Sequence, residues 1–314
     1  WVHAHADALD RLRATLDCSQ TLDESDGESE STTAHLRFPT AQRGVLLDGL
    51  LHAEDGDVSG AVERELDAIR LGEERPPEDA WLTIGEAALS LARVIASTPS
   101  GASLEQAGQG LDELAPYVPV ASAFAEGMKP LPLDAVRQDN LDPVGKLGAP
   151  RYDNIGGWQK AKMRLDVLLL PRRALVANAI TVLDAQLDRV IDVRRSGNAE
   201  QASPVEDALL AENEKTANPL VWLAAAPTAI YLGRTIGRGA CAVAVARATL
   251  AFERTRDASG HYGSPPMPDD PCAHGTPIHG ESLAGGAGYR VWSVGVNGRA
   301  DDLDAIRRPA SAIR

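Results

Sequence analysis

Aromatic side chains are scarce in this chain of 314 residues, where Phe, Trp and Tyr together make up 4%. Sandwiches and barrels draw on aromatic and β-branched residues. Their shortage, beside abundant Ala, Leu, Asp and Arg, favours packed helices. Positive charge is also short, with 31 Lys and Arg against 45 Asp and Glu, a net charge of −14. A nucleic-acid backbone is gripped by a Lys/Arg stripe, so nucleic acid is excluded as a partner. Docking on anionic lipid headgroups is disfavoured for the same reason. An acidic surface suits solubility and the binding of cations or basic partners. Long apolar runs are missing: a membrane span needs roughly 18–20 such residues. The best candidate, "LVWLAAAPTAIYLG" (Leu220 to Gly233), is too short and carries Pro227. No signal peptide is visible. The chain opens on Trp1, and membrane association is expected only through an anchor outside this sequence.

Cysteine is nearly absent. Cys18, Cys241 and Cys272 make an odd set, so at least one thiol is left over if a disulfide forms. Cys241 and Cys272 belong to one C-terminal module and are the candidate pair; three buried thiols are the alternative. Cofactor signatures are missing too. There is no nucleophile elbow, phosphate loop or dinucleotide fingerprint, and the glycines of "GRTIGRG" (Gly233 to Gly239) follow no strand.

What is present is helical periodicity. "VHAHADALDRLRATLDC" spaces Leu9, Leu12 and Leu16 for one helix face. "DESDGESESTT" (Asp23 to Thr33) has no apolar residue and reads as a mobile acidic loop. A helical hairpin follows, with a cap at Thr40, a turn at Glu54 to Asp57, and a second helix from Val58 to a stop at Gly72. "PEDAWLTIGEAALSLARVIAS" opens on Pro77 and acidic residues, and Trp81, Ile84, Ala88, Leu91 and Ile95 make one stripe. Ser103 reads as the cap of a further short helix, and Met128 to Gly157, rich in Pro, Gly, Asp and Asn, as a long irregular segment. Helices resume up to Gly197–Asn198. Ser203, Pro204 and Glu206 then form a capping box. The last helix, Pro227 to Gly260, has a middle of small residues from Gly237 to Ala248 that allows another helix to approach closely within the protein.

After this helix the texture changes to turns and strands. "TLAFERTRDASGHYG" leads into "PDDPCAHGTPI" and then into "GYRVWSVGVNGRADD". This order resembles the soluble part of the type II secretion major pseudopilins. There, a helix is followed by an Asp-Pro and Gly-x-Pro loop, and then by a Tyr-x-x-x-Ser-x-Gly-x-Asp/Asn-Gly hairpin element. The matching positions are Asp270, Pro271, Gly275, Pro277, Tyr289, Ser293, Gly295, Asn297 and Gly298, within roughly residues 228–306. The whole chain also resembles membrane-anchored envelope proteins of planctomycetes and myxobacteria that combine an anchor, a helical middle and this tail. The resemblance implies an extracytoplasmic, membrane-anchored protein with protein partners in the cell envelope and no enzyme activity. One departure stands out. Pseudopilins begin with a hydrophobic polymerising helix, whereas here a large helical domain comes first and Arg234 and Arg238 interrupt the late helix.

In pseudopilins the loop after this motif binds calcium. Ca²⁺ takes six to eight oxygens from carboxylates, carbonyls and neutral side chains. Ser293, Asn297, Asp301, Asp302 and Asp304 supply that inventory here, and a solvated turn is the alternative. Cys272, His274 and His279 are sound zinc ligand types and define an alternative reading as a metal-dependent hydrolase. His3, His5 and Asp7 precede a helix on which alternate residues diverge, which disfavours a shared metal. A third alternative is an accessory subunit of a larger membrane complex, with the Ala/Gly-rich helix at an interface. The expected fold is mainly α: a multi-helix domain over residues 1–226, then a small α+β pseudopilin-like module over 227–314, built of a long helix and a short antiparallel sheet.

Overall fold

Asp57 sets a boundary that the sequence marks in advance. Helix α1 (residues 42–54) ends in a turn where Gly56 takes a φ of +81°, and α2 (Val58–Glu73) begins beyond it. Asp57 Oδ1 accepts the Gly60 N–H at 3.0 Å, satisfying a first-turn donor that has no partner inside the helix. That bond, and then His52 beside it, hold the Asp57 carboxyl below its ordinary range.

The structure is a computed structural model. It describes residues 42–73, 77–97, 101–114, 171–195, 199–216, 226–273, 275–295 and 305–308, together with residues 129, 133, 136, 158, 161, 162, 165, 169, 218, 220 and 221. Among the described residues the chain is mostly helical, in seven helices. After α2 come α3 (Pro77–Ser97), α4 (Gly101–Leu114), α5 (Arg172–Arg195), α6 (Ala199–Lys215) and α7 (Ala226–Arg254). Strands β1 (His279–Leu283), β2 (Gly288–Trp292) and β3 (Ala305–Arg308) form an antiparallel sheet in the order β1-β2-β3. Among the described residues no helix is long and apolar enough to cross a membrane.

The chain divides into two compact units. One gathers Trp1–Val118, Ile236–Gly295 and Arg299–Arg314; the other gathers Pro119–Thr235 with Val296–Gly298. The later turns of α7 pack against α3 and α4 in the first unit. A Cβ on Gly85 would lie 2.8 Å from Gly239 Cα, so α3 and α7 meet backbone to backbone. Gly108 of α4 faces Leu250 and Arg254 of α7. Arg247 donates to the Leu111 carbonyl near the end of α4, where helical carbonyls lack intrahelical partners. The small residues of α7 are thus spent on close packing within the unit.

The rest of this unit's core follows from periodicity. Ile84, Ala88, Leu91 and Ile95 of α3 are buried, as the stripe requires. Gln42 is buried and donates to the carbonyls of Ala68 and Thr83, which ties α1 to both α2 and α3. In the other unit, Leu175, Ala179, Leu183 and Leu187 of α5 pack with Leu133, Val136, Leu220 and Val221. Asn218 is buried there and donates to the Leu175 carbonyl at 2.9 Å.

Several boundaries differ from the sequence reading. Helix α2 closes at Glu73, one residue past the expected stop at Gly72, and a Cβ on Gly72 would meet Ile84 of α3 at 2.8 Å, so this glycine also permits close approach. Ser103 lies inside α4, which starts at Gly101, and it is buried. Helix α6 starts at Ala199, so Pro204 stands inside it and the Ser203 box is no terminus. Helix α7 ends at Arg254, where the Phe252 carbonyl turns to accept Thr255 N–H at 2.9 Å. Thr40, the loop Asp23 to Thr33 and most of Met128 to Gly157 lie outside the described residues.

Candidate functional site at the Asp270 junction

The tail is organised around two buried carboxylates. The first is Asp270, in the turn between α7 and β1. Its Oδ1 accepts the Cys272 N–H at 2.8 Å, and its Oδ2 accepts the Val294 N–H at 3.0 Å. Ser293 donates its hydroxyl to both oxygens, at 3.0 and 2.9 Å. Among the described residues no cation pairs with Asp270. Burial of an ion costs several kcal/mol unless hydrogen bonds replace its water. Here neutral donors from two separate segments do so, and they make Asp270 the clasp between the Asp-Pro turn and the end of β2. The turn is closed further by Asp270 N–H to the Thr276 carbonyl at 2.8 Å. Gly275 takes a φ of +75°, which suits a residue without Cβ.

Beside this clasp, Cys241 of α7 and Cys272 are joined by a disulfide with an S–S distance of 1.98 Å. Cys241 Sγ lies 3.8 Å from Asp270 Oδ1; a disulfide sulfur carries no hydrogen, so this is a packing contact. The arrangement fixes helix, turn and strand end at one point. Ligand atoms of Cys241, Asp270 and Cys272 lie within 4.8 Å of one another. As a disulfide the sulfurs offer no thiolate, and a thiolate is what zinc binds.

The second carboxylate is Glu253 in the last turn of α7. It is buried and accepts the Tyr289 hydroxyl at 2.9 Å and the Tyr262 hydroxyl at 3.3 Å. The Tyr289 ring stacks on Phe252 at 4.8 Å and meets Tyr262 edge-on at 4.9 Å. Phe252, Tyr262 and Tyr289 thus meet where the sheet seats on α7.

The expected site residues fare differently. Ser293 is buried, gives its hydrogen to Asp270 and accepts the Gly295 N–H at 2.9 Å. Its hydroxyl is thus committed inside the clasp. Asn297, Asp301, Asp302 and Asp304 lie outside the described residues, as do His274, His3, His5, Asp7 and Cys18. Cys272 is consumed by the disulfide, which removes the thiolate from the zinc set with His274 and His279. His279 stacks on Trp292 at 5.2 Å instead.

One further constellation has hydrolase residue types. Asp257 Oδ1 accepts the Ser259 hydroxyl at 2.6 Å, and Ser259 Oγ lies 2.7 Å from His261 Nδ1. The serine sits between the acid and the imidazole and gives its proton to the acid, whereas nucleophile activation places the imidazole between them. The Ser259 bond, then the His261 N–H, hold the Asp257 carboxyl below its ordinary range. This is an exposed turn that closes the end of α7.

The sequence reading missed the Glu253 cluster and a third buried acid, Glu65 of α2. Glu65 Oε1 accepts the Ser90 hydroxyl at 2.8 Å, and Oε2 has no hydrogen-bond partner. Burial pushes its carboxyl up to about 8, against the smaller opposing pull of Ser90 and Arg93. No family model, curated protein or solved structure matches the chain.

Proposed function

We propose that this chain is a non-catalytic interaction or assembly protein of the cell envelope, held outside the cytoplasm, with a pseudopilin-like tail. The observation that carries the reading is the junction of Cys241–Cys272 with the Asp270–Ser293 clasp. It fastens together the long helix, the Asp-Pro turn and the Ser-x-Gly strand end, the elements on which the family resemblance rests. Disulfides persist in oxidising compartments and are rare in the cytosol. The neighbouring Asp270 carboxylate opposes the negative charge that a leaving thiolate develops during exchange, which suits a permanent structural bond. In this reading Asn297, Asp301, Asp302 and Asp304 hold a structural Ca²⁺ after the clasp, through oxygen ligands of the kind calcium takes.

The test is made in the producing cells. Free thiols are alkylated before lysis, envelope and cytosol are separated, and the cysteines are counted after reduction. The reading expects the chain in the envelope fraction with Cys241 and Cys272 protected. A cytosolic chain with both thiols alkylated overturns it. For calcium, thermal midpoints in Ca²⁺ and in EDTA are compared for the parent chain and for Asp301→Ala/Asp302→Ala. A ligand bound only by the folded state raises stability by mass action. A calcium-dependent rise that disappears in the variant is expected; an unchanged midpoint removes the ion from the proposal.

A further inference from the structure

We propose that the outward face of the β1-β2-β3 sheet is a docking site for an acidic peptide segment of a partner protein. Tyr289 and Val291 of β2 are buried, and Tyr289 packs on Phe252 of α7. Strand alternation sends Arg290 and Trp292 to the opposite face. There the Arg290 guanidinium sits over the Trp292 indole, 4.6 Å from the ring centroid. His279, across from Trp292 in register, lies against the same indole with an interplanar angle of 11°.

This cation is held in place, and among the described residues no ion pair neutralises it. Glu281 occupies the position across from Arg290 on β1, yet no ion pair joins them, and Arg290 Nε has no hydrogen-bond partner. On the other side of β2, Arg307 holds the register position across from Arg290. The ligand chemistry follows from these groups. A planar guanidinium matches a carboxylate in bidentate fashion. Stacking on Trp292 restrains Arg290 beforehand, which reduces the rotamer freedom lost on binding.

The rest of the molecule selects the size of the partner. A chain of net charge −14 repels a polyanion that extends beyond this face. Screening at physiological salt limits that repulsion to about 8 Å, so a short acidic segment is accommodated where a nucleic acid or a long anionic glycan is not.

The inference rests on reading the chain as an interaction protein and names its partner's chemistry. The test is fluorescence anisotropy of a labelled hexaglutamate peptide with the full, disulfide-bonded chain at low and at elevated salt. Saturable binding is expected, weakened at least tenfold by salt and at least tenfold by Arg290→Glu, with unchanged thermal midpoint and far-ultraviolet circular dichroism. Arg290→Ala, which adds no repulsion, is expected to lose binding in the same direction. Absence of binding by the parent, equal binding by Arg290→Glu, or tighter binding of a sulfated polysaccharide or an oligonucleotide than of the peptide overturns the proposal. Envelope location with oxidised cysteines but no peptide binding removes this face alone and leaves the functional reading standing.

Discussion

Ser293 gives its hydroxyl hydrogen to Asp270 Oδ2 across 2.9 Å, joining the end of β2 to a turn 23 residues earlier. Both groups are buried, so neither has water as a substitute partner. Asp270→Ala strands the donors of Ser293, Cys272 and Val294 together. At about 1–3 kcal/mol for each stranded buried group, the expected loss is about 3–5 kcal/mol, read from the urea midpoint. Ser293→Ala removes one donor and is expected to cost about 1–2 kcal/mol. Equal midpoints for Asp270→Ala and the parent would falsify the role of the clasp.

The disulfide closes a loop with a sequence separation of 31. Chain-entropy arithmetic for a loop of that length gives about 3–4 kcal/mol. The double variant Cys241→Ala/Cys272→Ala is expected to lose that much, and its urea midpoint is expected not to respond to dithiothreitol. A variant as stable as the parent means that the bond constrains nothing.

Glu65 makes stability depend on pH. Its folded carboxyl titrates near 8, above the ordinary value of 4.5. Between those values the folded chain binds a proton that the unfolded chain has lost, so stability falls as pH rises from about 4.5 to 8. Glu65→Gln keeps an acceptor for Ser90 and removes the ionisation. Its advantage over the parent is expected to grow across that window to a few kcal/mol. Parallel stability curves for the two proteins from pH 5 to 8 contradict this.

Gly85 and Gly239 offer a contest between two effects. Replacing a helical glycine by alanine gains about 1 kcal/mol in propensity. At Gly85 the new Cβ would lie 2.8 Å from Gly239 Cα, and overpacking costs about 1–3 kcal/mol. Backbone cannot give way as a flexible side chain can, so Gly85→Ala is expected to destabilise. Gly101, with nothing within 4 Å of its virtual Cβ, serves as the control, and Gly101→Ala is expected to be neutral. A stabilised Gly85→Ala chain shows that α3 and α7 part easily.

Side-chain chemistry that acts locally was readable in the sequence. Pro77 begins α3 and Asp57 precedes α2, because capping and ring constraints depend on near neighbours. Gly72 stands one residue before the end of α2 and also lets Ile84 of α3 approach closely, a second role that local spacing does not reveal. Pro204 misleads: it is favoured in a first turn, yet here α6 runs past it on both sides. In the tail, the Asp-Pro turn and the Ser-x-Gly element were each visible. Their bond to one another is a tertiary contact that no local spacing encodes. Glu65 was not legible at all, being one of 45 acids and distinguished only by the helices that close over it.

The crossing of α3 by the later turns of α7 also sets a timetable. Gly85 is synthesised long before Gly239, so an emerging chain carries an uncovered apolar flank on α3 and α4 until α7 follows. The free-energy cost of closing so long a loop grows only with the logarithm of its length, whereas the delay grows with the chain itself. During that delay the exposed flank is the part of the molecule open to proteases and to wrong partners.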